Sequence, residues 1–275
     1  MRKPKSTLLV GFDSAWSNKN KGAISAAFIG AEGTINECLP EPASLQEATT
    51  YIQDQQTRWS PTRTVVAVDQ PIVVPNQTGQ RDVENVVSSP IGKAGGGVQP
   101  TSRSRTHFNE NAPIWDFVNS FGGPSDPTNL SSPTSLIETY PALCLLAINC
   151  TLSIENGRQR LPKYNPTKNN FSQQDWTFTC SKISQALQDE GFSQLSAEAR
   201  IHSEMERPSK ANQDMIDSLL CLLAAHSLVK EQAISVGTVE SGYMITPSNR
   251  NLALQLQERC TATGRDPVEF VHILS

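Results

Sequence analysis

The sequence predicts an α/β fold organised around one mixed sheet, and three observations predict it. Short apolar, β-branched segments recur early, at residues 6–13, 23–29 and 34–39, with turn residues between them, as in an antiparallel meander. Residues 64–69 are apolar on both faces, as expected of a central strand covered by helices on either side. Helical periodicity then dominates the second half of the chain, most strongly at 212–230.

Taken in order, residues 6–13 read as a buried strand ending at Asp13, and 23–29 as its neighbour. Gly30 and Gly33 supply the turn into a third strand near 34–39. Residues 44–59 read as a helix: Ser44 caps it, Glu47 sits three residues later, and Ala48, Tyr51 and Ile52 form one apolar face. The strand at 64–69 follows. Residues 71–134 carry much Pro, Gly, Ser and Asn, and read as an irregular insertion between the fourth and fifth strands. That insertion is expected to be partly mobile without a partner and to hold a short helix at 114–120. A strand at 135–139 leads into a helix at 140–149 with Pro141 in its first turn. Residues 151–176 are polar and loop-like. Helices are expected at 179–190, 194–205, 212–230 and 249–260, a hairpin at 237–247, and a short strand at 268–274. No internal repeat or linker composition divides the chain, so residues 1–275 are expected to form a single domain.

Bulk composition narrows the function. With 23 Lys and Arg against 27 Asp and Glu, the net charge is −4, which argues against a general electrostatic grip on nucleic acid. A local basic face is still compatible with it. The six cysteines form no Cys-x-x-Cys pair and the four histidines are dispersed, which argues against a zinc site. The basic start at residues 1–5 is followed by a short apolar run that stops at Asp13, so it does not read as a signal peptide. No run has the length of a membrane span, and a cytoplasmic location is expected.

Four aspartates stand out against this background. Asp13 and Asp69 end apolar strands, while Asp214 and Asp217 open an apolar helix. Burying an ionised carboxylate without a partner costs several kcal/mol. No comparable set of Arg or Lys adjoins these segments, and a divalent cation would compensate them. Asp214 and Asp217, three residues apart, lie about 60° from one another on a helix and face one object. Each acid also has a plain reading. Asp214 suits the first turn of a helix, and Asp13 and Asp69 suit strand-end turns. Their combination fits a site at the carboxyl ends of adjacent strands, provided the first and fourth strands are parallel neighbours.

The ordered motifs resemble the ribonuclease H-like superfamily. Its layout is strand-Asp, strand-Asp and a late helical Asp-x-x-Asp, here Asp214-Met-Ile-Asp217-Ser-Leu-Leu, distantly similar to the last motif of Holliday-junction resolvases. The chain is more specifically similar to an uncharacterised family of predicted ribonuclease H-like nucleases. The matching segments are Gly11-Phe12-Asp13, Ala67-Val68-Asp69-Gln70-Pro71, Arg81 with Glu84, Ile137-Glu138-Thr139-Tyr140-Pro141, the helical pair, and Glu240-Ser241-Gly242-Tyr243-Met244-Ile245-Thr246-Pro247. Ser218 departs from the Ala usual after the second helical Asp. The resemblance implies a five-stranded sheet of order 3-2-1-4-5 flanked by helices. It also implies phosphodiester hydrolysis assisted by two Mg²⁺ or Mn²⁺ ions, which hard oxygen ligands select. Asp13 is then expected to bridge both ions, Asp69 to hold one, and Asp214 and Asp217 to complete the other side. Glu138 is expected as a further metal ligand or as the residue orienting Arg81, against the plain reading, which is favoured, of a strand-end acid capping the helix at Tyr140; the nucleic-acid substrate is expected near Arg81.

Other features are weaker. Arg103 and Arg105, with Arg81, are candidates to bind phosphate through guanidinium forks, against the plain reading of a solvated loop. Trp16, just past Asp13, is a candidate to stack on a base or sugar, or else covers the core edge. Gly92-Lys93 is not a phosphate loop, because the glycines follow the lysine and no strand leads in. Two other classes compete with the nuclease. One is a phosphotransferase or ATPase of the actin and sugar-kinase type, which Ser14-Ala15-Trp16 after Asp13 disfavours. The other is a binding module that kept the fold and lost the chemistry.

Overall fold

In the computed structural model of the chain, the described residues are 5–17, 19–154 and 157–274. Residues 1–4 of the basic start, which does not read as a signal peptide, lie outside them.

The meander forms as β1 (Thr7–Asp13), β2 (Gly22–Ile29) and β3 (Ile35–Ala43). Gly33 at φ 88° closes the second turn, with Gly30 N–H bonded to the Thr34 carbonyl at 2.8 Å. Helix α1 (Leu45–Trp59) starts at the Ser44–Glu47 capping box read from the sequence. Strand β4 (Arg63–Val68) then pairs parallel to β1, so the first and fourth strands are neighbours. Helices α2 (Asp82–Lys93) and α3 (Ile114–Ser120) lie within the 71–134 segment, and β5 (Thr134–Glu138) pairs parallel to β4. The main sheet therefore has five strands in the order β3-β2-β1-β4-β5, mixed in direction, as the resemblance implied.

Beyond the sheet come α4 (Pro141–Ala147), the two-residue strands β6 (Leu152–Ser153) and β7 (Gln159–Arg160), α5 (Gln173–Asp189) and α6 (Ser193–Ser203). Helix α7 (Lys210–Val229) follows. Strands β8 (Ala233–Thr238) and β9 (Gly242–Pro247) form the expected hairpin, and α8 (Arg250–Ala262), α9 (Pro267–Phe270) and β10 (Val271–Leu274) close the chain. Strands β10, β8 and β9 make a second sheet, tied to the first by a bridge between Thr139 and Ile245.

Three expectations needed correction. The insertion is more regular than its composition suggested, because Val83, Val86, Val87 and Ile91 give α2 a buried stripe despite its serines, Gly92 and internal Pro90. Helix α5 begins at Gln173 within the supposed loop, capped by Ser172. Residues 268–270 of the final expected strand belong instead to the short helix α9.

Pleat parity positions the site. Leu9 belongs to the core on the α7 side of the sheet, whereas Leu8, Val10 and Phe12 belong to the core on the α1 and α3 side. Alternation therefore sends Gly11 and Asp13 to the α7 side. On β4, Val65 and Ala67 face the same way, and Asp69 continues that series beyond the strand. Gly11 lets α7 settle directly on β1: a Cβ there would come within 2.1 Å of the Ser218 carbonyl and 2.3 Å of the Leu222 nitrogen. Ser25 Oγ on β2 donates to that same Ser218 carbonyl at 3.2 Å. No other residue type fits Gly11 at this crossing.

Candidate active site

Because α7 crosses over Gly11, its first two turns pass beside the end of β1. Asp13, Asp69 and Asp217 meet there, brought from two strand ends and one helix. Burial pushes the Asp13 carboxyl well above the ordinary carboxylate range, and repulsion from Asp217 and then Asp69 adds to it. Burial first and Asp217 second push Asp69 up to about 8, partly offset by a side-chain hydrogen bond with Asp13. Asp217 is raised to about 6 by burial, with Lys210 and Tyr164 opposing the rise. The resulting cluster is electrostatically strained.

Asp217 lies below the surface of the site, with both oxygens held. Tyr164 O–H donates to one at 2.7 Å, and Gln213 Nε2–H donates to the other at 2.9 Å. Gln213 is itself buried, and its Oε1 has no hydrogen-bond partner. Asp214 sits nearer the surface, in an ion pair with Lys210 one turn earlier on α7. Lys210 and Gln213 were not singled out from the sequence, although both stand four residues before an aspartate on one helix, where side chains meet. Tyr164 comes from a loop and carried no such signal.

Above these acids opens a cleft of about 930 Å³, lined by Asp13, Asp69 and Asp214, with Lys19, Lys21, His107 and Lys210 supplying basic groups. Trp16 also lines it and ties its wall together. The indole N–H donates to the Asp69 carbonyl at 2.9 Å, and the Trp16 carbonyl lies 2.8 Å from His107 Nδ1. Its ring packs edge-on to Phe108, and its backbone takes φ 57°, a left-handed conformation costly for a bulky residue.

Glu138 takes a different place from the one expected of a metal ligand. It pairs in register with Val68, whose side chain belongs to the core opposite α7, so its carboxylate meets Arg81, although it lines the same cleft as the aspartates and its charge helps to raise Asp69. Both its oxygens accept from Arg81, at 2.6 and 2.8 Å, and one also accepts from Ile72 N–H at 3.1 Å. Arg81 donates its Nε–H to Glu84 at 2.7 Å and an Nη1–H to the Val73 carbonyl at 3.0 Å. Arg81 is therefore buried with every guanidinium nitrogen engaged, and together with Glu84 and Glu138 it lines the wall of the cleft near which the substrate was expected. Glu138 thus orients Arg81, and the helix that begins after Tyr140 has no side-chain cap.

Arg103 also turns from the cleft: its Nε–H donates to the Val74 carbonyl at 2.8 Å and its guanidinium stacks 4.0 Å from the Trp115 ring. Arg105 is exposed, and neither arginine lines the cleft. His226, bonded to Glu190 at 2.9 Å and packed on Phe192, has a structural place remote from the acids.

Among the described residues, no three carboxylate, imidazole or thiol groups stand close enough to coordinate one ion as placed. The chemistry of the donors nevertheless fits a hard divalent cation. The candidates are carboxylate oxygens raised in proton affinity first by burial and then by their mutual repulsion, with an orphaned amide oxygen on Gln213, which bonds Asp217. Asp13 and Asp69, which no Lys or Arg pairs, are the residues that would hold it.

The fold and site define a class: open α/β proteins with a carboxylate cluster at the carboxyl ends of two parallel strands, crossed by a late helix. Within that class, the chain belongs to the family described as "Protein of unknown function (DUF429)", whose profile matches residues 11–241. No curated protein matches the chain. Among the described residues, no helix is long and apolar enough to cross a membrane.

Proposed function

We propose that the chain is a ribonuclease H-like, metal-dependent nuclease that hydrolyses phosphodiester bonds at the cleft above Asp13 and Asp69. The observation that carries this reading is the strained convergence of Asp13, Asp69 and Asp217, which no basic side chain neutralises one for one. When bound, Mg²⁺ or Mn²⁺ would supply Lewis acidity at the scissile phosphate and lower the pKa of the attacking water. Asp13 and Asp69 would orient that charge toward the cleft. Tyr164 and Gln213 hold Asp217 in one rotamer, so the cluster is preorganised. Lys19 on the cleft wall supplies positive charge for a polyanionic backbone, and Lys21 beside it is shared with Glu47, although the chain as a whole is acidic.

Cleavage of single-stranded, duplex and hybrid DNA and RNA, with Mg²⁺ or Mn²⁺ and with chelator, tests the proposal. Strand cleavage dependent on the cation is expected, falling by at least ~10²-fold in Asp13→Asn. Full cleavage by Asp13→Asn would refute the assignment. Nucleotide hydrolysis without strand cleavage would transfer it to the phosphotransferase class. Binding without any turnover would leave a non-catalytic module.

A further inference from the structure

The residues around the cluster divide the four aspartates unequally. Asp214 is already paired with Lys210, and both side chains line the cleft. Asp217 already accepts from Tyr164 on one oxygen and Gln213 on the other. That leaves Asp13 and Asp69 without a hydrogen-bonded Lys or Arg, Lys210 acting on them only through space, and it leaves Gln213, whose amide donates to Asp217, with a buried Oε1 that has no partner. Two carboxylates and water molecules are the usual protein share of one Mg²⁺ site, since this ion keeps much of its hydration. Two ions would demand that Asp214 leave its lysine, and would place the second ion beside a fixed ammonium.

From this we propose that the site takes one divalent cation on the Asp13 and Asp69 side, while the Lys210 ammonium supplies the positive charge of a second cation on the Asp214 side. The inference rests on reading the acid cluster as a cation site, and it replaces the pair of ions implied by the sequence resemblance. Lys210 then faces the substrate phosphate from the cleft wall, as a point charge that needs no loading. It is a flexible, strongly hydrated donor, suited to contact a phosphate oxygen without fixing its geometry.

Calorimetric titration of Mn²⁺ into the full, chelator-treated chain decides the matter, with Mn²⁺ anomalous scattering from soaked crystals as a second readout. The native chain should bind one Mn²⁺, seated at Asp13 and Asp69. Lys210→Met should bind two, the second at Asp214, and Lys210→Arg should return to one. Circular dichroism checks that each variant is folded, and Lys210→Gln replaces Lys210→Met if that variant is not. Two ions in the native chain, or one in both the native chain and the neutral variant, would overturn the role given to Lys210. No Mn²⁺ in any variant would instead overturn the cation site itself.

Discussion

Two groups of buried or half-buried carboxylates stand at the ends of neighbouring parallel strands, and they are treated in opposite ways. Glu138, ending β5, shares Arg81 with Glu84, and every polar atom of the guanidinium has a partner. Asp13 and Asp69, at the ends of β1 and β4, have no hydrogen-bonded cation: they repel one another and Asp217, and Lys210 offsets only part of that. A single step of pleat parity separates the two outcomes, since Glu138 pairs with Val68 and not with the Asp69 side of the strand. Where the chain supplies the countercharge, the result is architecture: Arg81 joins the loop after β4, the start of α2, the end of β5 and, through Gly242, the turn of the β8–β9 hairpin. Where the chain withholds it, the charge is left for something the chain does not encode.

The most damaging way to break this contrast is to remove Arg81. Arg81→Met should leave Glu84 and Glu138 buried without a cation and cost about 3–5 kcal/mol. That corresponds to a fall in Tm on the order of 10 °C for a chain of this size. Adding Glu84→Gln and Glu138→Gln to the same protein should restore much of the loss, because the uncompensated charges go with their partner. A fall in the urea midpoint worth less than ~1 kcal/mol for Arg81→Met would show that the pairing is not what organises this side of the cleft.

The acidic cluster should respond with the opposite sign. Asp69, held at about 8 against an ordinary 3.8, binds its proton more tightly folded than unfolded, and Asp217, raised to about 6, does the same. Acidification therefore favours the folded state, and stability in chelator should decline as pH climbs from about 5 through about 8. Asp69→Asn removes one repelled carboxylate and should raise stability in chelator by about 0.5–2 kcal/mol, the usual scale when a functional site is relieved of strain. It should also flatten the pH slope. Saturating Mn²⁺ should flatten the native slope in the same way, by binding the folded state alone. A native urea midpoint in chelator that rises between these pH values would contradict the cluster's electrostatics.

The same contrast explains what could be read from the sequence. The five strands, the Ser44 cap and α7 were legible because hydrophobic period and capping chemistry are local. So were Asp13, Asp69, Asp214 and Asp217, since a carboxylate inside an apolar run is anomalous wherever the chain later goes. Helix α2 was hidden by Ser88, Ser89, Pro90 and Gly92, although its Val83, Val86, Val87 and Ile91 already showed the helical stripe. The fate of Glu138 depends on its register with Val68, and that of Asp217 on Tyr164, 53 residues away. Both are tertiary facts with no local signature.

Arg103 and Arg105 extend the comparison to charges outside both groups, where the smallest effects are expected. Arg103 spreads over the Trp115 ring and bonds the Val74 carbonyl, so it packs as much as it charges. Arg103→Ala should cost about 1 kcal/mol, from the lost cation–π contact and one hydrogen bond. Arg105 is exposed, without a side-chain partner among the described hydrogen bonds, and Arg105→Ala should change stability by no more than ~0.5 kcal/mol. Nucleic-acid affinity measured against salt separates structural from substrate roles. A phosphate contact at either arginine would lower the slope of log K against log salt by about one. Both slopes should match the native protein, since neither side chain reaches the cleft. A reduced slope for Arg105→Ala alone would move the substrate path out of the cleft and along the 71–134 segment, and the division between paired and unpaired charge would no longer coincide with that between scaffold and site.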